Sequence, residues 1–446
     1  MSPGTPPRRR RWLLPAAALV VVLAGAGVAA YLLLKDRTGD ISHPGAEFTE
    51  EKPAPKPKRR RASFVWPNYG YDAAHTRVFA ASPSLRPPFR QVWRVSGEVL
   101  LEFPPAIAYN RLYQLNDFGT LRGISMKTGR VLWRRKLGKL AASTPAVHNG
   151  VLYVSVLSRT KNGPGRFAAI RAKTGRTVWI KDIASRTESS PLYRGGRVYA
   201  GSEDGTVYCL RARSGRTLWT YKASGAVKGS PTFDRGVLYF GDYGGQVHAV
   251  YARSGRRRWA TGTSGAALGF RSGTFYATAA VRFGRVFIGN TDGREYSFVA
   301  RTGKLAWAKQ TGNYVYASAA VDDIRGLGPT VYVGSYDGSF YALDARSGGV
   351  RWSHQAGGKI SGSSTVVGRI VYFANLAARS TVGLDVRTGR RVFSFPRGGF
   401  DPVISDGKRI YLTGYDSLQA LEPRSARRSR PSRRAARRSR ARRGGA

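Results

Sequence analysis

Ala342-Leu343-Asp344-Ala345-Arg346-Ser347-Gly348-Gly349-Val350-Arg351-Trp352 couples a short apolar run to a Ser-Gly turn and places a tryptophan five residues after the serine. The same pattern recurs in Thr128 with Trp133, Thr174 with Trp179, Ser214 with Trp219, Ser254 with Trp259, Thr302 with Trp307 and Thr388 with Phe393. From Trp133 onward the aromatics step by 46, 40, 40, 48, 45 and 41 residues. That period suits propeller blades built of four short strands.

The third unit shows the internal order. Ser190-Pro191-Leu192-Tyr193 opens a strand, Arg197-Val198-Tyr199-Ala200-Gly201 forms a second, and Glu203-Asp204-Gly205 supplies a tight hairpin. Thr206-Val207-Tyr208-Cys209-Leu210 returns, Ser214-Gly215-Arg216 turns, and a fourth strand carries Trp219. Asp-Gly and Gly-Gly tolerate the positive φ of two-residue hairpins, so Asp292-Gly293, Asp337-Gly338 and Gly244-Gly245 mark the same turn elsewhere. Short alternating strands without helix signals predict an all-β, antiparallel domain.

The ends give the blade count. Gln91-Val92-Trp93-Arg94-Val95 reads as a fourth strand with no earlier strands before it, whereas the strands around Val403, Ile410 and Leu418 lack an aromatic fourth. The two fragments complete one another. The expected fold is an eight-bladed β-propeller of four-stranded antiparallel blades, closed by the strand around Trp93, which removes a free sheet edge. Trp93, Trp133, Trp179, Trp219, Trp259, Trp307, Trp352 and Phe393 recur with the blades and are read as docking groups between them.

Two units, 342–352 and 381–393, resemble the repeat of the PQQ-like (pyrroloquinoline-quinone-type) eight-bladed propellers. Trp66-Pro67-Asn68-Tyr69-Gly70-Tyr71-Asp72 with His75-Thr76-Arg77 is similar to the segment that precedes their first blade. The resemblance covers about residues 64–422 and implies fold far more strongly than activity, because dehydrogenases and scaffolds share this propeller. The dehydrogenase branch implies a neighbouring cysteine pair, a calcium site and an aspartate base. Cys209 is the only cysteine, and 26 Asp and Glu stand against 74 Lys and Arg.

Asp204, Asp292 and Asp337 read as turn residues, and His43, His75, His148, His248 and His354 show no metal-ligand spacing. No catalytic residue, cofactor or metal is therefore expected. The chain looks closest to the non-catalytic branch, similar to the scaffold propeller of the outer-membrane barrel-assembly machine. It departs from that lipoprotein in having an apolar anchor and basic arms.

Residues 12–34 hold no charge and follow Arg8 to Arg11. A run of that length spans about 30 Å of hydrocarbon, and the arginines hold residues 1–11 in the cytoplasm. The expectation is a single-pass transmembrane helix with an extracytoplasmic propeller. A cleaved signal peptide is the competing reading, although the apolar run continues through Tyr31-Leu32-Leu33-Leu34. Residues 35–63, rich in proline, lysine and arginine, read as a solvated tether, 64–423 as the propeller, and 424–446 as a disordered tail with eleven arginines.

The formal charge is +48; the tail carries +11, the N-terminal arginines +4 and the tether +3, which leaves +30 on the propeller. Such a field draws anionic partners. Outside the cytoplasm these are envelope proteins or anionic envelope polymers, not nucleic acid.

Loops joining one blade to the next line the channel mouth of a propeller, where ligand sites are sought. They supply Glu102, Glu188, Lys228, Tyr276, Tyr316, Lys359 and Asp401, and the long loop 262–276 adds Phe270 and Arg271. The sequence points to a membrane-anchored binding scaffold in the cell envelope. A diverged quinoprotein-type enzyme and a small-ligand sensor using the channel mouth are the alternatives.

Overall fold

The computed structural model describes residues 39–50, 65–158, 160, 163–263, 273–400 and 403–424. Within them eight antiparallel sheets follow one another around an axis. Blade 1 consists of Ala106–Ala108, Arg111–Leu115, Thr120–Ser125 and Val131–Lys136 from the axis outward. Blades 2 to 7 repeat this order over 146–183, 192–222, 232–262, 280–310, 320–355 and 365–395.

Blade 8 takes Ile404–Ser405, Ile410–Thr413 and Ser417–Pro423 from the end of the domain. Phe89–Ser96 is its outer strand, in register from Phe89 opposite Pro423 to Ser96 opposite Ser417. Closure therefore follows the sequence expectation.

The recurrent tryptophan and the turn glycine turn out to be one device. Each indole packs on the turn glycine of the following blade: Trp93 on Gly129, Trp133 on Gly175, Trp179 on Gly215, and so on to Trp352 on Gly389. These glycines have φ between 68° and 79°, and a β-carbon on any of them would stand within 2.8 Å of an indole atom. The indole N–H donates into the same neighbouring blade, to the carbonyls of Met126, Ala172, Ala212, Ala252, Ala300, Ala345 and Val386 at 2.8–3.2 Å. Phe393 has no such turn ahead of it, and its ring meets Phe89 edge-on at 5.5 Å.

At the axis, small hydroxyl residues lace adjacent inner strands. The Ser190 hydroxyl accepts from the Thr144 N–H, Ser230 donates to the Ser190 carbonyl, and Thr278 accepts from the Ser230 N–H. Residues 66–79 then cross the channel. Their carbonyls accept from Ile107, Val147, Phe233, Val281, Val321 and Val366, one inner strand after another. Val78–Phe79 ends the crossing as a parallel strand beside Thr365–Val367. Tyr71, His75 and Arg77 have φ of 78°, 50° and 55°, a backbone cost of about 1 kcal/mol each that the bonds from six blades offset.

One part of the expected tether departs from the sequence reading. Residues 39–50 lie along the outer edge of blade 5, where Ile41–Ser42 pairs with Ala308 and Trp307. Phe48 stacks on Phe283 at 5.4 Å, and Arg285 donates to the carbonyls of Ala46 and Glu47. Ile41, Ala46 and Phe48 give this strap apolar contacts, and Asp40, Glu47 and Glu50 give it a charge opposite to the blade's. The segment 35–63 was read by composition, in which neighbouring Pro and Lys outweigh that pattern. Residues 1–38, 51–64 and 425–446, and with them the apolar stretch and the arginine tail, lie outside the described residues.

Candidate functional site

The blade-to-blade loops bring Glu102, Glu188, Lys228, Tyr276 and Tyr316 to one cup at the mouth of the axis, with Tyr69, Phe103 and Phe400 completing its wall and floor. The floor comes from the crossing segment: the Tyr69 hydroxyl is 2.6 Å from Ser363 Oγ, and the Arg77 guanidinium lies under its ring at 4.8 Å. The axis is therefore a closed cup at this end and not an open channel.

One pole of the cup is charged. Lys228 Nζ sits 2.9 Å from Glu188 and 3.3 Å from Glu203, and Arg186 reaches the same two carboxylates at 3.2 and 2.9 Å. All four are largely sheltered from water. Glu102 stands beside this network without an ion pair among the described residues. Burial, reinforced by the charges of Asp117 and Glu188 and opposed by Lys228, pushes its carboxyl up to about 7. Burial likewise raises Asp117 to about 6.

The other pole is a tyrosine arc. Tyr276 and Tyr316 meet edge-on at 5.6 Å, Tyr316 and Tyr336 at 4.9 Å, and Tyr314 closes on Tyr336 at 6.3 Å. Burial, with the charges of Glu188 and Glu102, holds the Tyr276 hydroxyl well above its ordinary value. Lys359 does not line the cup; its ammonium lies over the Tyr336 ring at 5.5 Å. Phe270, Arg271 and Asp401 lie outside the described residues.

Sequence reading missed Glu203, Tyr243, Tyr336 and Asp117, yet a signal was present. Each occupies the same hairpin position, in Asn116-Asp117, Ser202-Glu203, Asp242-Tyr243 and Ser335-Tyr336 ahead of the turn glycine. That hairpin leans over the mouth, as the Tyr336 hydroxyl shows by donating to Ser361 Oγ at 3.2 Å. Tyr69 carried no such signal, because its place is set by the crossing. Among the described residues no three His, Cys, Asp or Glu side chains gather as a metal site. Cys209 is buried, its thiol pushed up to about 12 by burial.

A family model described as outer membrane protein assembly factor BamB matches residues 89–182, 163–392 and 323–438. The chain belongs to this family. No curated protein matches it in sequence. Among solved structures, BamB from Moraxella catarrhalis superposes with a TM-score of 0.61 at 18% identity, covering 75% of this chain and 99% of that one.

A europium-containing methanol dehydrogenase gives 0.68 at 13% identity, over 80% of this chain and 98% of the other. The quinohemoprotein alcohol dehydrogenase of Comamonas testosteroni gives 0.67 at 14%, over 81% of each. At these identities the structures share the fold alone. Within the BamB family, then, the cup must be read from its own residues.

Proposed function

We propose that this BamB-family propeller is a membrane-tethered, extracytoplasmic binding scaffold, not a catalyst, and that its mouth cup receives a protruding segment of an envelope protein. The observation that carries this reading is the two-pole cup: a sheltered, charge-paired pole with Glu102 beside it, against a tyrosine arc, with Tyr69 at its floor. Tyrosine supplies large contact area at small entropy cost and recurs at binding hot spots.

A lysine or arginine presented beside Glu102 would stabilise its ionised form, so binding would release a proton and weaken as pH falls below about 7. The family's description as an assembly factor supports a protein partner. The single, buried Cys209 supports a non-quinoprotein reading, because the vicinal pair of that branch cannot form. The strap fits a membrane-proximal mouth: Asp40 binds Lys309 and the Gln310 N–H, which puts the N-terminal end of the described strap at the mouth end of blade 5.

The test is site-specific photocrosslinking in intact cells, with the photoreactive residue at Tyr316 and, as control, at Val178, an exposed residue on the outer strand of blade 2. A discrete crosslinked protein from position 316 alone, weakened by Glu102→Gln, is the expected outcome. The same products from both positions, or indifference to Glu102→Gln, would sink the reading.

A further inference from the structure

The face opposite the mouth carries a different message. Strands one and two of each blade, and strands three and four, turn on that face, as the Gly196 carbonyl bonded to the Ala212 N–H and Gly236 to Ala252 show. In six of the seven Ser/Thr-Gly turns a lysine or arginine stands on each side, as in Arg213 with Arg216, Arg253 with Arg256 and Arg387 with Arg390; the seventh has Arg346 alone. All these cations are exposed. Ten of the thirteen are arginine, the side chain whose planar fork grips phosphate through two parallel bonds.

At two of these turns an aspartate is already engaged by backbone N–H groups. Asp344 accepts from the Arg346 and Ser347 N–H groups, and Asp385 from those of Arg387 and Thr388. Among the described residues, only Arg301 and Arg346 of the turn cations have a carboxylate, and both belong to the strap: Glu47 at 3.1 Å and Glu50 at 2.8 Å. Among the described residues the chain thus lays its own anions on this ring at one place and gives the other turn cations no carboxylate.

The domain also ends here. Ser417–Pro423 runs away from the mouth, and the Arg424 N–H donates to the Pro88 carbonyl at 2.8 Å, so the sequence of the arginine-rich tail begins at this face.

We propose that this basic face is a docking surface for a linear polyanion bearing repeated phosphate groups. Polymer is favoured over bilayer by the strap, whose N-terminal end at Asp40 lies at the mouth end of blade 5, opposite the basic face; that choice alone rests on the anchored reading.

The full chain in neutral detergent is titrated against fluorescent long-chain inorganic polyphosphate over a range of salt concentrations. Arg213→Glu, Arg216→Glu, Arg253→Glu and Arg256→Glu are combined in one variant, and Lys136→Glu, Lys139→Glu, Arg379→Glu and Arg397→Glu, on the mouth side, in another. Melting curves verify that both fold. The basic-face variant is expected to bind at least about tenfold more weakly and to lower the log–log salt slope by about three, while the mouth-side variant shifts by less than about threefold.

Equal losses would show a net-charge effect and overturn the proposal. So would a loss confined to a chain ending at Pro423, which would put recognition in the tail. Tighter binding to phosphatidylglycerol vesicles, abolished by the basic-face substitutions, would replace the polymer with a bilayer. Alkaline extraction of cell membranes reads the anchor separately, and release of the chain would refute anchoring without touching the polymer result.

Discussion

The six-membered ring of Trp219 lies flat against Gly255 of the next blade, its Cδ2 and Cε3 each 2.8 Å from where a β-carbon on that glycine would stand. The glycine's φ of 75° already disfavours a side chain. Conformation and contact therefore select the same residue.

Gly255→Ala is expected to cost about 2–4 kcal/mol and Trp219→Ala about 3–5 kcal/mol. The pair should not be additive: with the indole gone, Gly255→Ala retains only its backbone penalty, about 1 kcal/mol. Urea unfolding of the four proteins measures the coupling, and strict additivity would mean that the contact does not set the glycine.

Glu295 is fully buried, and among the described residues both its carboxylate oxygens are unpartnered. It stands opposite Gly289, as Val247 stands opposite Gly241 and Phe340 opposite Gly334. Burial holds its pKa well above the ordinary carboxylate value. The folded state thus keeps a proton that the unfolded chain releases, and stability falls as pH rises above the unfolded pKa. Glu295→Val should raise stability by about 1–3 kcal/mol at pH 8 and by markedly less at pH 4, as read from melting temperatures at the two pH values.

His75 has the opposite sign. Its ring is buried in the crossing segment, with Nδ1 3.0 Å from Thr232 Oγ1, and burial, helped by the Arg77 charge, lowers its pKa well below 6.5. The unfolded chain takes up a proton that the folded one refuses, so this residue costs stability as pH falls below about 6.5. His75→Asn keeps tolerance of the positive φ and removes the titration. A shallower decline in melting temperature between pH 7 and pH 5 is expected, and an unchanged decline would assign it elsewhere.

Phe48 fastens the strap through its stack on Phe283 and the Arg346 guanidinium 4.5 Å above its ring. Phe48→Ala should loosen the segment by about 2–3 kcal/mol. Amide exchange should accelerate in residues 39–50 and stay unchanged in the inner strands. Uniform acceleration across the blades would show that the strap supports the whole propeller.

How far the sequence reached is visible at single residues. Trp133, Trp179 and their relatives were legible because each blade repeats the same local problem, a fourth strand that must close against its neighbour. Glu102, Glu188, Lys228, Tyr276 and Tyr316 were legible as mouth residues for the same reason. That Lys228 of one loop bridges Glu188 and Glu203 of the preceding blade was not, since a salt-bridge network depends on side-chain reach and not on register.

By itself, then, the sequence determined the all-β repeat, the eight blades, their strand order and the closure around Trp93, because hairpin glycines and a recurring aromatic are local signals that survive without neighbours. The tertiary structure alone decided that Tyr69 floors the cup and that residues 39–50 join blade 5. Each of these joins positions remote in sequence, and no periodicity records a contact made once.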